Sequence, residues 1–172
     1  MKGYIPVEIP TKRYIKAYLC ANLGEKPIMT SDHKIGNKFY DLLHNKRNER
    51  KSEFSNKRYN AKVRLFVNYH TFTHRGANLH ETNIKNFNLF VEKEVKEKFY
   101  DLMDFYIEVL PSFEANLPLV RKKLGIILDD DWSDDSMKKD YYRHRLEKGL
   151  PLLYNKTSAR TVPSGNISDI AF

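Results

Sequence analysis

Five side chains near the C-terminal end of the sequence have the types and the spacing to contact a phosphate backbone. Lysine and arginine bind phosphate oxygens, arginine also forks onto guanine, and tyrosine can add a hydrogen bond. Ser133 is placed to cap a helix that ends at Gly149, and at about 100° per residue the basic side chains spread over its outer side. The five predicted contacts on this helix are Lys138, Lys139, Tyr142, Arg143 and Arg145.

A second helix must position this basic helix. The sequence predicts a short helix from residue 116 or 117 to 124, with Pro118 in its first turn and Gly125 after its end. The side chains expected to face each other are Leu119, Val120 and Leu124 on this helix and Met137, Tyr141 and His144 on the basic one. Such a helix-turn-helix-like unit, completed by the preceding helix, is the usual design of a major-groove reader. The connecting DDDWSDD departs from a compact turn and its acids would repel phosphate, so a solvated helix face is the alternative.

A second basic segment precedes the middle of the chain. Its charges could track a phosphate backbone, with Tyr59 or Phe54 stacking on bases, although a solvated loop has the same composition. The predicted contacts are Lys46, Arg47, Arg50, Lys51, Lys57 and Arg58.

The charge balance favours a polyanionic partner. The 172 residues contain 30 Lys and Arg against 22 Asp and Glu, which gives +8. Residues 1–75 hold 16 cations and 6 acids, a balance of +10, and residues 76–172 hold 14 and 16, a balance of −2. The positive field therefore comes from the first half of the chain.

Histidine is a common metal ligand, but the histidines of this sequence predict no metal site. Residues 63–73 alternate like a strand, which would separate His70 and His74 by about 13 Å. That distance is too long for one zinc ion unless the chain turns at Thr73, and neither CxxC nor HExxH is present.

Enzyme and membrane signatures are equally lacking in the sequence. It contains no GxGxxG, GxxxxGK[ST] or GxSxG, so we expect a non-enzymatic protein without catalytic residues or cofactor. No apolar run is long enough for a bilayer and the N-terminus lacks an apolar signal region, so we expect no membrane partner. The single cysteine, Cys20, is expected to be a buried inert thiol in a reduced, cytoplasmic setting.

The remaining pattern predicts an α+β fold that is predominantly helical. A helix over 83–110 is central, with a buried stripe that continues from Phe99 through Leu102, Tyr106 and Leu110 and an apolar second half buried on several sides. Before it we expect strands over 4–9 and 27–30 and helices over 10–24 and from a cap at residue 31 or 32 to about 44. Residues 1–149 form one domain, with a basic half 1–75 and a helical half 80–149, and 150–172 form an extended tail.

Four stretches carry a resemblance: YIPVEIPTKRYIKAYL, KVRLFVNY, FNLFVEKEVKEKFYDLMDFY and SMKKDYYRHR. They resemble small basic proteins of phages and mobile elements of gut bacteria, with no characterised family among them. The resemblance implies a role in DNA regulation or replication and does not assign a function to any residue.

We therefore expect a non-enzymatic DNA-binding protein, regulatory or accessory to replication, acting on duplex DNA in the host cytoplasm. The alternative is a structural or assembly protein of a virion or other complex, whose C-terminal tail docks a protein partner. Homo-oligomerisation and a preference for DNA over RNA stay open.

Overall fold

The computed structural model describes residues 3–43, 58–76, 79–126, 131–151 and 153. Within them the chain forms two strands and six helices. In order these are β1 (Tyr4–Thr11), α1 (Arg13–Leu23), α2 (Lys34–Leu42), β2 (Ala61–Asn68), α3 (Tyr69–Arg75), α4 (Glu81–Val109), α5 (Phe113–Leu124) and α6 (Asp134–Glu147). The prediction of a mainly helical α+β fold with a small N-terminal sheet and a long central helix is confirmed.

The two strands form an antiparallel pair, in register from Tyr4 opposite Asn68 to Thr11 opposite Ala61. Alternate side chains point inward to the core and outward to solvent. Residues 27–30 do not form a full strand, but Ile28 bridges Phe66 on the far edge of β2. The other edge belongs to β1, where Pro6 and Pro10 remove outward-pointing N–H groups and so protect it from pairing with another chain.

The central helix α4 begins at Glu81, two residues before the predicted start, and lies against α1, α2, α5 and β1. Its buried stripe was predicted to turn from Phe99 to Leu102, but it continues in steps of four through Met103 and Ile107. The apolar second half is not buried all round, because Phe105 and Val109 are 62% and 78% exposed. Phe99 is fully buried, so the predicted stripe is confirmed in the first half of the helix.

A buried amide ties α4 to the sheet. Asn88 donates from Nδ2 to the carbonyl oxygens of Pro10 (3.0 Å) and Ile84 (2.9 Å). Its Oδ1 accepts from the hydroxyl of Thr11 at 2.6 Å. Each polar atom of this amide is thus satisfied, as burial requires, and the contact fixes the strand against the helix.

The predicted strand over 63–73 is wrong in its second half. Strand β2 ends at Asn68, whose side-chain oxygen accepts from the amide of Thr71 at 2.7 Å and caps α3. Asparagine is a strong helix cap, and the aromatic and threonine residues after it gave a β-like pattern that concealed the boundary.

Three more helices differ from the prediction at their starts. Helix α1 was expected from residue 10, but residues 10 and 11 belong to β1 and α1 begins at Arg13. Helix α2 is capped by His33 instead of residue 31 or 32. Helix α5 begins at Phe113, capped by Ser112, so Pro118 lies well inside the helix. Leu119, predicted to face inward, is 47% exposed.

The connection between α5 and α6 supports the core through Trp132. This indole is 4% exposed, and its ring lies 5.3 Å from that of Tyr14 and 5.1 Å from that of Phe99. The carboxylate of Asp131 accepts from the amide of Arg13 (2.8 Å), which caps α1, and from Asn60 (2.6 Å).

None of the helices in the described residues is both long enough and apolar enough to cross a membrane.

Candidate nucleic-acid interface

The outer face of β2 presents a short row of basic and aromatic side chains. Lys62, Arg64 and Phe66 alternate with the buried Val63 and Leu65, as the two-residue period of a strand requires. The side chains of Lys62 and Arg64 are 68% and 64% exposed. This face therefore offers cations that a partner can reach.

One carboxylate on the neighbouring strand serves both cations. Glu8 lies 3.1 Å from the ammonium of Lys62 and 3.7 Å from the guanidinium of Arg64. The hydrogen bond and charge of Lys62, together with the weaker effect of Arg64, lower the pKa of Glu8. Because one acid faces two bases, this group of three side chains keeps one net positive charge.

The same face borders a depression of about 340 Å³ beside α1. Two further exposed lysines, Lys16 and Lys26, line it with Glu25. Its four cations (Lys16, Lys26, Lys62 and Arg64) outnumber its two carboxylates (Glu8 and Glu25), which leaves a balance of +2. We call these four cations and Phe66 the sheet surface.

Cys20 also lines this depression. It is a free thiol of intermediate exposure, so the prediction of a buried cysteine is wrong. Its neighbours Lys16 and Leu19 are exposed and fully buried respectively, so Cys20 lies at the edge of the helix's buried stripe.

Most of the predicted basic segment lies outside the described residues. This holds for Lys46, Arg47, Arg50, Lys51 and Lys57. Arg58 is described and exposed, and it lies three residues before β2 begins. The segment therefore leads directly along the chain into the sheet surface.

The predicted contacts on α6 are in part neutralised by carboxylates. Lys138 forms an ion pair with Glu114 of α5, which raises its pKa. The guanidinium of Arg143 lies 3.5 Å from Asp140 on the same helix. Lys139 is exposed, and among the described residues no carboxylate lies within ion-pair distance of it.

Tyr142 is turned towards α5 instead of standing free on the outer side. Its ring packs edge-on against Phe113 at 6.2 Å, with the ammonium of Lys138 over its face. Its hydroxyl donates to the carbonyl of Leu153 at 3.3 Å. Tyr142 thus holds the chain after α6 and is only partly accessible.

Arg145 is buried, with 7% of its surface exposed, so we remove it from the proposed interface. Its Nε donates to the carbonyl of Pro151 at 2.8 Å and a terminal nitrogen donates to the hydroxyl of Tyr141 at 3.0 Å. That hydroxyl in turn donates to Asp104 of α4 at 2.6 Å. A guanidinium enclosed in this way stabilises the contact between α6 and α4 and cannot reach a phosphate.

Two further side chains lie close to Asp104 at the same contact. The imidazole of His144 and the ammonium of Lys148 lie 3.5 and 3.6 Å from its carboxylate. The ring of His144 stacks on Tyr100 of α4 at 4.1 Å, so His144 is nearly inward-facing as predicted. Burial, with help from the negative charges of Asp140 and Glu147, raises the pKa of Tyr100 to about 12.

A groove of about 580 Å³ runs between α4 and α6, but its charges are balanced. Lys93 lies 3.7 Å from Glu97, and Lys96 lies 3.8 Å from Glu92 and 2.9 Å from Asp140. Each of these lysines has a carboxylate beside it, so the groove does not attract a polyanion as the sheet surface does.

The predicted basic segment, residues 46–64, included Lys62 and Arg64 without naming them as contacts. Lys16 and Lys26 were not predicted at all. The signal for Lys62 and Arg64 was present, because they occupy alternate positions opposite Val63, Leu65 and Val67. No sequence signal places Lys16 and Lys26 beside them, since this depends on how α1 packs against the sheet. The chain matches no protein-family model, no curated protein and no solved structure.

Proposed function

We propose that this chain is a non-enzymatic nucleic-acid-binding protein that contacts the phosphate backbone through the sheet surface and the basic segment leading into it. The observation that carries the proposal is the pair of exposed cations on β2, Lys62 and Arg64, which share a single carboxylate. Lys16 and Lys26 extend the positive surface around the depression.

Phosphate contacts of this kind bind by releasing counterions from the nucleic acid. The affinity then falls linearly with salt on a double-logarithmic plot, with a slope of about −0.9 per phosphate neutralised on duplex DNA and about −0.7 on single strands. Four cations on the sheet surface, with more in residues 46–58, would give a steep slope.

An aromatic ring beside the cations adds a way to hold an unpaired base. Phe66 lines the depression with Arg64 and is partly exposed. Aromatic rings between cations are typical of surfaces that bind single strands, because a base can stack on the ring while the cations hold its phosphates. The support for duplex reading by α6 is weaker, since its cations are largely paired internally.

The test is a titration of the full chain with duplex DNA, single-stranded DNA and RNA at two ionic strengths. We expect binding at low salt that weakens steeply at moderate salt. No binding to any of the three at low salt, or an affinity insensitive to salt, would overturn the proposal.

A matched pair of double variants locates the surface. Lys62→Ala with Arg64→Ala is expected to reduce the salt slope by about 1–2 and to lower the affinity for every sequence. Lys139→Ala with Arg143→Ala removes the same charge from the exposed side of α6 and serves as the control. A larger loss from the α6 pair would transfer the interface to that helix.

The cellular role that we propose is that of a regulator or replication accessory of a phage or mobile element, acting in the cytoplasm. The resemblance of four stretches to small basic proteins of such elements supports this role. A protein that regulates DNA or assists its replication by binding needs no catalytic residue.

A second candidate function is assembly into a larger complex. The observation that favours it is the exposed apolar side of the second half of α4, with Phe105, Val109 and Leu110 at 62%, 78% and 47% exposure. Exposed apolar residues of this size often mark contact surfaces. Light scattering after size exclusion separates the two functions: a ring or large oligomer that Phe105→Ser dissociates favours assembly, and a monomer or dimer favours the binding protein.

A further inference from the structure

Two exposed histidines come together on α3, the short helix that replaces the predicted end of β2. His70 and His74 are four residues apart, which is one helical turn, and their ring centroids lie 4.3 Å apart. The sequence pattern had separated them by about 13 Å on a strand and so argued against a metal. The structure removes that argument.

The helix that carries the pair is held from both ends. Asn68 caps its first turn, and the amide of Tyr69 donates to the carbonyl of Gly3 at 2.8 Å. At the other end the guanidinium of Arg75 lies 3.6 Å from Asp41 of α2. These contacts anchor α3 to α2 and to the residue before β1, and both histidines are exposed to solvent.

We propose that His70 and His74 form a two-histidine site for a divalent transition-metal ion of the zinc class. Zinc–nitrogen bonds are about 2.0–2.1 Å long in tetrahedral sites, which places two ligand nitrogens about 3.3 Å apart. The two imidazole rings have centroids 4.3 Å apart, so they are close enough for one nitrogen of each ring to bind the same ion once the side chains rotate. The same i, i+4 spacing supplies two zinc ligands in helical metalloprotease motifs.

The described residues supply only part of the coordination shell. Among the described residues no group of three or more histidine, cysteine or acidic side chains is arranged to hold a metal. Within the described residues the remaining positions are left to water, and a site with only two protein ligands exchanges metal readily. Imidazole nitrogen favours Zn²⁺, Ni²⁺ and Cu²⁺ over Mg²⁺ and Ca²⁺, which bind oxygen ligands.

Metal binding at this pair depends on the helical conformation of α3. An extended chain would place the two imidazoles too far apart to share one ion. The metal is therefore expected to stabilise α3, and a change that weakens the helix should weaken the metal site in return.

The test is a calorimetric titration of the untagged full chain with Zn²⁺, and with Ni²⁺ and Mg²⁺ for comparison. We expect one Zn²⁺ site in the wild type, and an affinity at least about tenfold lower in His70→Ala with His74→Ala, since both protein ligands are lost. The control is His80→Asn, which removes an exposed histidine outside the pair while asparagine keeps the cap of α4. Its affinity should equal that of the wild type.

A second variant tests the dependence on the helix. Asn68→Ala removes the cap of α3 and is expected to lower Zn²⁺ affinity severalfold while both histidines remain. Circular dichroism of each variant checks that the fold is retained. The proposal is overturned if the double variant binds Zn²⁺ as the wild type does, if His80→Asn loses as much affinity, or if Mg²⁺ binds as tightly as Zn²⁺.

Discussion

Strand β2 and helix α6 both carry lysine, arginine and aromatic side chains, yet their net charges differ. The eight residues of β2 contain Lys62 and Arg64 and no acid, a balance of +2. The fourteen residues of α6 contain four lysines and arginines and four acids, a balance of zero. Its neighbours α4 and α5 add Asp104 and Glu114, which lie against its cations.

The difference follows from the geometry of the two elements. A strand at the surface of a small sheet directs alternate side chains outward, where only one neighbouring strand can oppose them. A helix packed between two others directs its flanks at their side chains, and carboxylates there pair with its cations. A run of lysines and arginines therefore indicates a positive surface only when the packing of its element is known.

The largest effect that separates the two regions is expected on stability. Arg145→Ala removes a buried guanidinium. The hydroxyl of Tyr141, the carboxylate of Asp104 and the carbonyl of Pro151 then lose a hydrogen-bond or ion-pair partner. We expect the free energy of unfolding to fall by about 2–4 kcal/mol. Urea denaturation measures it, with the exposed Lys139→Ala as a control that should change it by less than about 0.5 kcal/mol. Equal effects of the two changes would show that α6 does not depend on this contact.

The second effect concerns what the sheet surface binds. Phe66→Leu keeps an apolar side chain in the depression but removes the ring on which a base would stack. We expect it to weaken single-stranded DNA binding by about 1–3 kcal/mol, the range for one stacked base. Duplex binding, which exposes no unpaired base, should stay unchanged, and fluorescence anisotropy measures both. If both fall equally, Phe66 contributes through the folding of the surface instead of through stacking.

A smaller effect is expected from the carboxylate that opposes the cations of β2. Glu8→Gln leaves Lys62 and Arg64 without a competing negative charge, so we expect nucleic-acid affinity to rise by a factor of about two to five at low salt. The rise should vanish at high salt. A fall in affinity would show that Glu8 orients the two cations for binding.

The lowered pKa of Glu8 also gives a direction for stability. The charged carboxylate contributes stability above its unfolded pKa of about 4.5, and this is lost as the pH falls through the lower folded pKa. Glu8→Gln should therefore be less stable than the wild type at neutral pH and equally stable at the acid end, as denaturation at the two pH values would show.

The smallest effect is expected at high pH, at the contact between α4 and α6. The pKa of Tyr100 is raised to about 12 from the ordinary tyrosine value of 10.0, so the unfolded chain loses this proton first as the pH rises. Its contribution to stability is complete below about pH 10 and is lost as the pH approaches 12. Tyr100→Phe should therefore lose less stability between pH 9 and pH 11 than the wild type does, as urea denaturation at the two pH values would measure. If the variant loses as much stability as the wild type, the other buried tyrosines cause the loss.

Much of the fold was predictable because its signals are local. The three- and four-residue spacing from Ile84 to Phe99 identified the first half of α4, and Ser133 and Gly149 bounded α6 closely. The alternation around Leu65 identified β2. Each of these patterns depends only on the repeat of the backbone and on capping residues within one turn.

The candidate site was predicted only in part, because its residues meet through packing. Lys16 of α1 lies beside Lys62 of β2 across 46 positions of sequence. Arg145 was predicted to contact nucleic acid, but the direction of its side chain is set by Tyr141 and Pro151. The separation of His70 and His74 was predicted wrongly because Asn68, two residues before His70, ends the strand and caps a helix.

By itself the sequence determined the fold class, the central helix and an excess of positive charge in the first half of the chain. Only the tertiary structure decided which cations stay exposed. It also decided that Asp131, predicted to repel phosphate, caps α1 from more than a hundred residues away. The reason is that helix and strand periods are properties of neighbouring residues, whereas a charge is free or paired according to what another element brings within a few ångströms.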